Sequence, residues 1–297
     1  LKGSVTNVHG EIKVTGKNYV GGLIGYYTGD VSKSSVQENI VGQDSVGGLV
    51  GYTSGSISGT SSANSYFVGN ISGRKYVGGL AGYGSSISKG YVEGSVIGDS
   101  SYVGGVIGHA TGKLDSIHHT GGDVSGYAYV GGVAGYAVDT VWNSYSKGNV
   151  TSDGNYVGGL IGTAVKLVKN SHSEGDVIGK RSYVGGLIGS GLSLSKSYSI
   201  GSVIGDSSYV GGVIGYARGN LFSVTHTGGD VSGTSYVGGV TGYISNSSID
   251  SSYSVGNVIG RGNDVGGLIG RSYYYYNSKS EASKTLHVAV NSQATGY

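Results

Sequence analysis

The feature that most constrains this chain is a six-residue motif, V-G-G-[LV]-x-G, which occurs ten times in 297 residues. Successive motif valines lie 26 to 31 residues apart, and most of the intervals are 26 or 27. A fixed period of about 20–50 residues is typical of solenoids, propellers and other repeat arrays. The motif valines are Val20, Val46, Val77, Val103, Val130, Val157, Val184, Val210, Val237 and Val265.

The length and chemistry of the repeat select among these architectures. A propeller blade needs about 40 residues or more, so this period is too short for one. Glycine contributes 62 residues, and each costs about 1 kcal/mol relative to alanine within a helix, which excludes helical repeats. We therefore predict an all-β fold: a parallel β-helix (β-solenoid) of about ten turns of ~27 residues, with three strands per turn.

Columns of aliphatic residues support this fold. A β-branched residue stands at the centre of each G-x-V-x-G segment, and Leu or Val follows every Gly-Gly pair. The motif valine and the residue after Gly-Gly are three positions apart, so in a straight strand they would face opposite sides. We predict that both face the interior and that the chain bends at Gly-Gly, because glycine adopts backbone angles that other residues avoid.

Irregular repeats mark two further features. A third aliphatic column slips by one residue at Leu114 and Leu221, within a block that occurs twice at an offset of 107 residues (GDSSYVGGVIG at 98–108 and 205–215). One long repeat carries extra residues in Thr53–Asn64, which we predict to form a surface loop.

We assign the solenoid to 1–272 and a cap, an arm or the start of another domain to 273–297. The chain begins at Leu1 and has no Met, so we expect a leader to have been removed or the chain to be part of a longer one.

Tyrosine precedes the motif valine in eight repeats, and stacked coils would align these rings in a ladder. One interpretation is structural, since each stacked pair contributes about 0.5–1.5 kcal/mol. The other is a ligand-contacting face, because tyrosine rings stack on sugar rings and donate hydrogen bonds. The candidate residues are Tyr19, Tyr76, Tyr102, Tyr129, Tyr156, Tyr183, Tyr209 and Tyr236.

A second file, five residues before the G-x-V-x-G valine, mixes histidine with tyrosine. Its histidines are at least two turns apart, roughly 10 Å, which is too far to share one metal ion. We therefore predict no metal site and no cofactor. The file reads His9, Ser35, Tyr66, Tyr91, His119, Tyr145, His172, Tyr198, His226 and Tyr253.

No arrangement of catalytic residues stands out. There is no cysteine and no H-E-x-x-H motif. The residue before the G-x-V-x-G valine is mostly Asn, Asp or Ser, which is typical of side chains that bond backbone groups at corners. Asp123 and Asp176, two turns apart, lie at the far limit for a glycosidase pair. We predict no catalytic residue and a non-enzymatic protein.

Charge and hydropathy exclude other classes. Charged residues make up 12% of the chain and the net charge is +2, so we predict no nucleic-acid partner. No apolar run approaches the roughly 20 residues of a membrane-spanning helix, so we predict no membrane-spanning segment.

The V-G-G-L-I-G core with its flanking tyrosine and the G-x-V-x-G segment resemble the GLUG repeat of bacterial surface proteins. That repeat occurs in haemagglutinin-like adhesins and in the N-terminal regions of IgA-cleaving metallopeptidases. The resemblance covers about 19–270 and implies an exported, surface-displayed, right-handed β-solenoid. The peptidase active site lies in a separate zinc domain without a counterpart here, so no catalytic residue is carried over.

Three functional hypotheses follow. The favoured one is an extracellular scaffold or adhesin stalk on the bacterial cell surface, with a host or environmental glycan or protein as partner. The alternative is a self-assembling subunit of a filament, sheath or surface layer, whose copies join through the solenoid ends and the Tyr273–Tyr276 tail. The third and least favoured is a carbohydrate-active β-helix enzyme.

Overall fold

The computed structural model describes residues 3–273, which form a parallel β-solenoid without a helix. Motif valines pair with each other from coil to coil, for example Val20 with Val46 and Val77 with Val103. The coils are therefore stacked in register, at about 4.8 Å per coil. This confirms the predicted fold class. The C-terminal segment 273–297 lies outside the described residues, apart from Tyr273.

Sheet A contains sixteen strands and sheet B ten. The strands of sheet A are Ser4–Thr6, His9–Glu11, Asp30–Ser32, Ser35–Gln37, Ile57–Ser58, Ser65–Val68, Ile87–Glu93, Leu114–Gly121, Val141–Trp142, Tyr145–Ser146, Val168–Lys169, His172–Glu174, Leu194–Ile200, Leu221–Thr227, Ile249–Asp250 and Tyr253–Ser254. The strands of sheet B, on the G-x-V-x-G segments, are Val14–Thr15, Ile40–Val41, Ile71–Gly73, Val96–Gly98, Val124–Gly126, Val150–Ser152, Val177–Gly179, Val203–Gly205, Val231–Gly233 and Val258–Gly260.

Sheets C and D, of ten strands each, divide the V-G-G-[LV]-x-G-Y segment between them at the glycine pair. The strands of sheet C are Asn18–Gly21, Asp44–Gly47, Lys75–Gly78, Ser101–Gly104, Ala128–Gly131, Val157–Gly158, Val184–Gly185, Val210–Gly211, Val237–Gly238 and Val265–Gly266. The strands of sheet D are Ile24–Tyr27, Val50–Thr53, Ala81–Gly84, Ile107–Ala110, Ala134–Ala137, Ile161–Ala164, Ile188–Gly191, Ile214–Ala217, Thr241–Ser245 and Ile269–Tyr273.

Both motif columns face the interior, as the odd spacing predicts. Val46 and Leu49 are each fully buried, on either side of the bend between sheets C and D. The extra residues of the long repeat form an exposed loop at 61–64, within the predicted insertion.

The reason for the paired glycines differs from the prediction. Their φ angles are not left-handed. Positive-φ glycines occur instead mainly at the first glycine of the G-x-V-x-G segments, as at Gly69 (φ 143°). A Cβ atom at Gly22 would overlap the carbonyl oxygen of Gly48 and lie 2.7 Å from Val36 Cγ1. The pair is therefore needed because two coils approach each other closely, and not because of backbone freedom.

Left-handed backbone also occurs at the residue immediately before the motif valine, two residues before the glycine pair. Every described repeat has a positive φ there, between 53° and 69°, and eight of these residues are tyrosine. For a bulky residue this conformation costs about 1–2 kcal/mol. The residues are Tyr19, Ser45, Tyr76, Tyr102, Tyr129, Tyr156, Tyr183, Tyr209, Tyr236 and Asp264.

One extra residue in each of two coils corrects the predicted histidine file. Val92 pairs with His119, whereas the next residue, Glu93, pairs with Gly121, so Thr120 is an extra residue. His118 therefore takes the outward position and His119 is fully buried. The duplicated coil behaves in the same way: Thr225 pairs with Tyr198 and Tyr253, and His226 is fully buried. The remaining described members of the file stay in register.

Residues 3–273 contain no helix long and apolar enough to cross a membrane.

Candidate functional site

The predicted tyrosine ladder, here called the C file, is a continuous stack over most of its length. From Tyr76 to Tyr236 seven rings follow one another with centroids 4.7–4.9 Å apart. Tyr19 does not join this stack, because Ser45 occupies the position of the intervening ring. The structure thus brings seven of the eight candidate residues together in one row.

A second ladder on sheet D, here called the D file, was not predicted. It consists of the residues after the third glycine of each motif, and this recurrent tyrosine was the signal available in the sequence. Its first five rings stack with centroids 4.7–5.1 Å apart, and Tyr216 stacks on Tyr243 at 5.3 Å. The file contains Tyr26, Tyr52, Tyr83, His109, Tyr136, Thr163, Ser190, Tyr216, Tyr243 and Arg271.

The two files lie side by side with their rings nearly perpendicular. Tyr76 and Tyr83 meet edge to face with centroids 5.7 Å apart and planes at 85°, and Tyr236 and Tyr243 do so at 6.2 Å and 86°. Such edge-to-face pairs are favourable because the positive ring edge contacts the negative ring face. Together the C and D files form one aromatic surface, here called the tyrosine face, that follows the solenoid axis.

The tyrosine face has a gap where Thr163 and Ser190 replace rings of the D file. Tyr136 on one side and Tyr216 on the other are three coil rises apart, roughly 14 Å. Tyr156 has no edge-to-face partner among the described residues, although it stacks on Tyr129 and Tyr183 in its own file. The groove that contains this gap, here called the notch, has a volume of about 520 Å³ and continues along the two files as far as Arg271.

Polar groups surround the notch. Thr163 is only 7% exposed, and its Oγ1 has no hydrogen-bond partner within residues 3–273. Arg218 lines the notch and is exposed, and its guanidinium has no ion-pair partner in the described part of the chain. None of the described lining residues is acidic. The notch therefore combines ring faces with hydroxyl groups and positive charge.

The phenol groups of Tyr129 and Tyr183, along the notch, remain hydrogen-bond donors at neutral pH. Burial, followed by the neighbouring tyrosines, raises the pKa of Tyr129 and of Tyr183. A neutral phenol both donates and accepts a hydrogen bond. At the C-terminal end Arg271 lies over the Tyr236 ring, 5.5 Å from its centroid, and pairs with Asp264 at 3.4 Å.

A third ladder on sheet A is shorter and mixed. Tyr66 stacks on Tyr91 at 4.9 Å, and His118, Tyr145, His172 and Tyr198 form a second stack with spacings of 4.2–5.1 Å. His172 replaces an aromatic ring as predicted, whereas His118 does so in place of the predicted His119. No group of three or more metal-ligating side chains is found in residues 3–273.

The two buried histidines, His119 and His226, occupy the interior column that holds Phe67 and Val92 in other coils. His119 donates from Nε2 to the Gly94 carbonyl at 2.9 Å, and His226 donates from Nε2 to Gly229 at 3.2 Å. Burial lowers the pKa of both residues. The two imidazoles are therefore neutral, satisfied core groups.

The carboxylates considered for catalysis bond the backbone at the corner before sheet B. Asp123 Oδ1 accepts a hydrogen bond from the Asn149 amide at 3.0 Å, and Asp176 Oδ1 accepts one from Ser202 at 2.7 Å. Asn149 links these two coils by accepting from the Asp176 amide at 2.9 Å. Each side chain thus ties its coil to the next one, as expected of corner residues.

Comparisons of the chain with family models, with curated proteins and with solved structures give no match.

Proposed function

We propose that the chain is a non-enzymatic, extracellular scaffold of the adhesin type, which binds glycans through its tyrosine face. The observation that carries the proposal is the joining of two aromatic files into one surface that follows the solenoid axis and is interrupted at the notch. Their rings are held rigidly by stacking and by the left-handed backbone of the C file. Rigid aromatic rings offer a large contact area at a low entropic cost.

The exposed ends of the files favour binding in addition to stabilisation. Tyr19 is 49% exposed and Tyr26 is 56% exposed, although each contacts other rings. A pyranose ring presents an apolar face to such rings and hydroxyl groups to the phenols. Display on a bacterial cell surface is supported by the resemblance of the repeat to GLUG repeats.

The corner hydrogen bonds support a role without catalysis. A glycosidase needs one carboxyl that donates a proton and another that acts on the sugar. Asp123 and Asp176 instead each accept a backbone hydrogen bond from the following coil.

A glycan array tests the proposal directly. Wild-type protein should be retained by a subset of glycans, and the double substitution Tyr102→Ser/Tyr136→Ser should weaken retention, since these rings belong to the C and D files. Tyr198→Ser is the matched control, because Tyr198 belongs to the sheet A ladder. Mass spectrometry of each bound glycan should show it intact. Retention of no glycan, or cleavage of a bound one, would contradict the proposal.

Self-assembly is the second candidate, and the last described coil favours it. Val265 is 41% exposed and Val258 is half-buried, whereas their counterparts one coil earlier, Val237 and Val231, are buried. Strand edges at the end of a stack can pair with another copy. Sedimentation velocity at increasing concentration distinguishes the two functions: discrete rods of one size support the scaffold, and growing polymers support the filament subunit.

A further inference from the structure

The notch is the place where the tyrosine face departs from its own pattern. Along the D file, rings stand before and after Thr163 and Ser190, and the backbone register is unbroken through both positions. A ladder that served stability alone would gain from rings at these two positions. The two small residues instead leave one face of Tyr136 and one face of Tyr216 without a stacking partner.

We infer that the notch is a subsite for an acidic oligosaccharide, with sugar rings lying between Tyr136 and Tyr216 and a carboxylate on Arg218. This inference rests on the proposed glycan-binding function and specifies its ligand. Two coil positions of the D file carry no ring, and the gap of roughly 14 Å between Tyr136 and Tyr216 is long enough for two linked sugar residues.

The floor of the notch favours a ligand rich in hydroxyl groups. Thr163 Oγ1 lies beneath the surface without a hydrogen-bond partner among the described residues. A buried unpaired hydroxyl is unfavourable, and rotation about χ1 turns it towards the notch. There it meets a ligand hydroxyl, while the phenols of Tyr156 and Tyr183 line the adjacent wall.

The charge of the notch selects an acidic sugar over a neutral one. The Arg218 guanidinium is unpaired within residues 3–273, and no described lining residue carries a carboxylate. Guanidinium groups bind carboxylates through paired, charge-assisted hydrogen bonds. A purely aromatic ligand would stack on the rings but leave Arg218 and Thr163 without partners.

Calorimetry with two acidic probes, trigalacturonate and a sialylated trisaccharide, tests the inference on the full chain. The methyl ester of each probe keeps the rings and removes the charge. Wild type should bind at least one acid saturably and bind its ester about tenfold more weakly, the size expected for a charge-assisted hydrogen bond. Binding of neither acid, or equal binding of acid and ester, would overturn the inference.

Two variants locate the site. Thr163→Tyr/Ser190→Tyr completes the D file and should weaken binding of the acid at least tenfold, with an unfolding midpoint no lower than that of wild type. Arg218→Gln, at an exposed position, should weaken binding of the acid about tenfold and leave binding of the ester unchanged. Wild-type affinity in either variant would overturn the inference.

The glycan array separates failure of the subsite from failure of the proposed function. If the filled variant Thr163→Tyr/Ser190→Tyr retains every array glycan, the notch is not the site and the scaffold function still stands. If wild type retains no glycan, both fail.

Discussion

Tyr156 stacks on Tyr183 with ring centroids 4.8 Å apart and planes at 4°, although both residues hold a left-handed backbone, with φ of 66° and 69°. The conformation is unfavourable for a bulky residue by about 1–2 kcal/mol. Each ring gains about 0.5–1.5 kcal/mol from each neighbour that it stacks on. The ladder therefore offsets the backbone strain that places it on the surface.

This balance predicts an unusual order of stability for two substitutions at Tyr102. Tyr102→Ala removes the stacking on the rings of the two neighbouring coils and keeps the strain of the left-handed backbone. Tyr102→Gly removes the same stacking but relieves the backbone strain. We expect the glycine variant to be more stable than the alanine variant by about 1 kcal/mol in urea unfolding.

The matched control is Tyr83 in the D file, which stacks similarly but has no left-handed φ. There alanine should be the more stable variant, by about 0.5–1 kcal/mol. The same order at both positions would contradict the role given to the backbone.

Completing part of the D file should stabilise the fold. Thr163→Tyr adds a ring next to Tyr136 at a position whose preceding neighbour in register already carries a ring. We expect a gain of about 0.5–1.5 kcal/mol in the free energy of unfolding. Thr163→Val, which removes only the unpaired hydroxyl, separates that contribution from stacking. A destabilised tyrosine variant would mean that the notch does not accommodate a ring.

The glycine pair should tolerate no side chain. A Cβ atom at Gly158 would overlap the Ile161 carbonyl oxygen and lie 2.7 Å from that of Leu187. We expect Gly158→Ala to destabilise the protein by about 3 kcal/mol or more, because backbone atoms of two coils would have to move.

Gly84→Ala is the control, since its Cβ would meet only side-chain atoms at 3.3 Å and beyond, and Ala110 stands in the same register position. That variant should stay within about 1 kcal/mol of wild type. Equal effects in urea unfolding would show that the close approach of the coils is not the reason for the glycine pair.

The buried histidines predict a loss of stability in mild acid. Burial lowers the pKa of His119 and of His226 in the folded state below the value of about 6.5 that histidine has when unfolded. The contribution to stability is therefore complete above about pH 6.5 and is lost as the pH falls towards the folded pKa, because the unfolded chain binds protons that the folded chain does not.

Urea midpoints at about pH 7.5 and about pH 5 measure this effect. His119→Phe/His226→Phe, which extends the residue type of Phe67 along the same interior column, should show a smaller drop between the two pH values. Burial also lowers the pKa of His118 and of His172, so part of the drop should remain. An unchanged drop would contradict the prediction.

Sequence periodicity predicts the coil but not its irregular positions. The odd spacing of Val46 and Leu49 correctly places both inside, because the glycine pair turns the chain between them. The prediction that His119, and not His118, belongs to the outward-facing file is wrong. The bulge lies between these two histidines and the valine used to align the repeats, so counting back from that valine gives the wrong residue. The one-residue slip at Leu114 was the available signal.

The candidate site was predicted in part. Repetition before the motif valine identifies the C file, and the recurrent tyrosine after the third glycine was an available signal for the D file. The contact between the two files depends on how sheets C and D fold against each other. The close approach of the coils at Gly22 likewise involves the Gly48 carbonyl of the next repeat, 26 residues away in the sequence. A single repeat does not contain that information.

The duplicated block has a consequence for how the gene can vary. Recombination between GDSSYVGGVIG at 98–108 and its copy at 205–215 would delete 107 residues, which are four whole coils. The product keeps an intact solenoid, because Tyr102 is simply replaced by its counterpart Tyr209 in the joined repeat. Thr163 and Ser190 are deleted, so the shortened protein carries an uninterrupted row of aromatic rings where the longer one has an opening. A deletion alone would therefore remove the notch from the surface, without any amino-acid substitution.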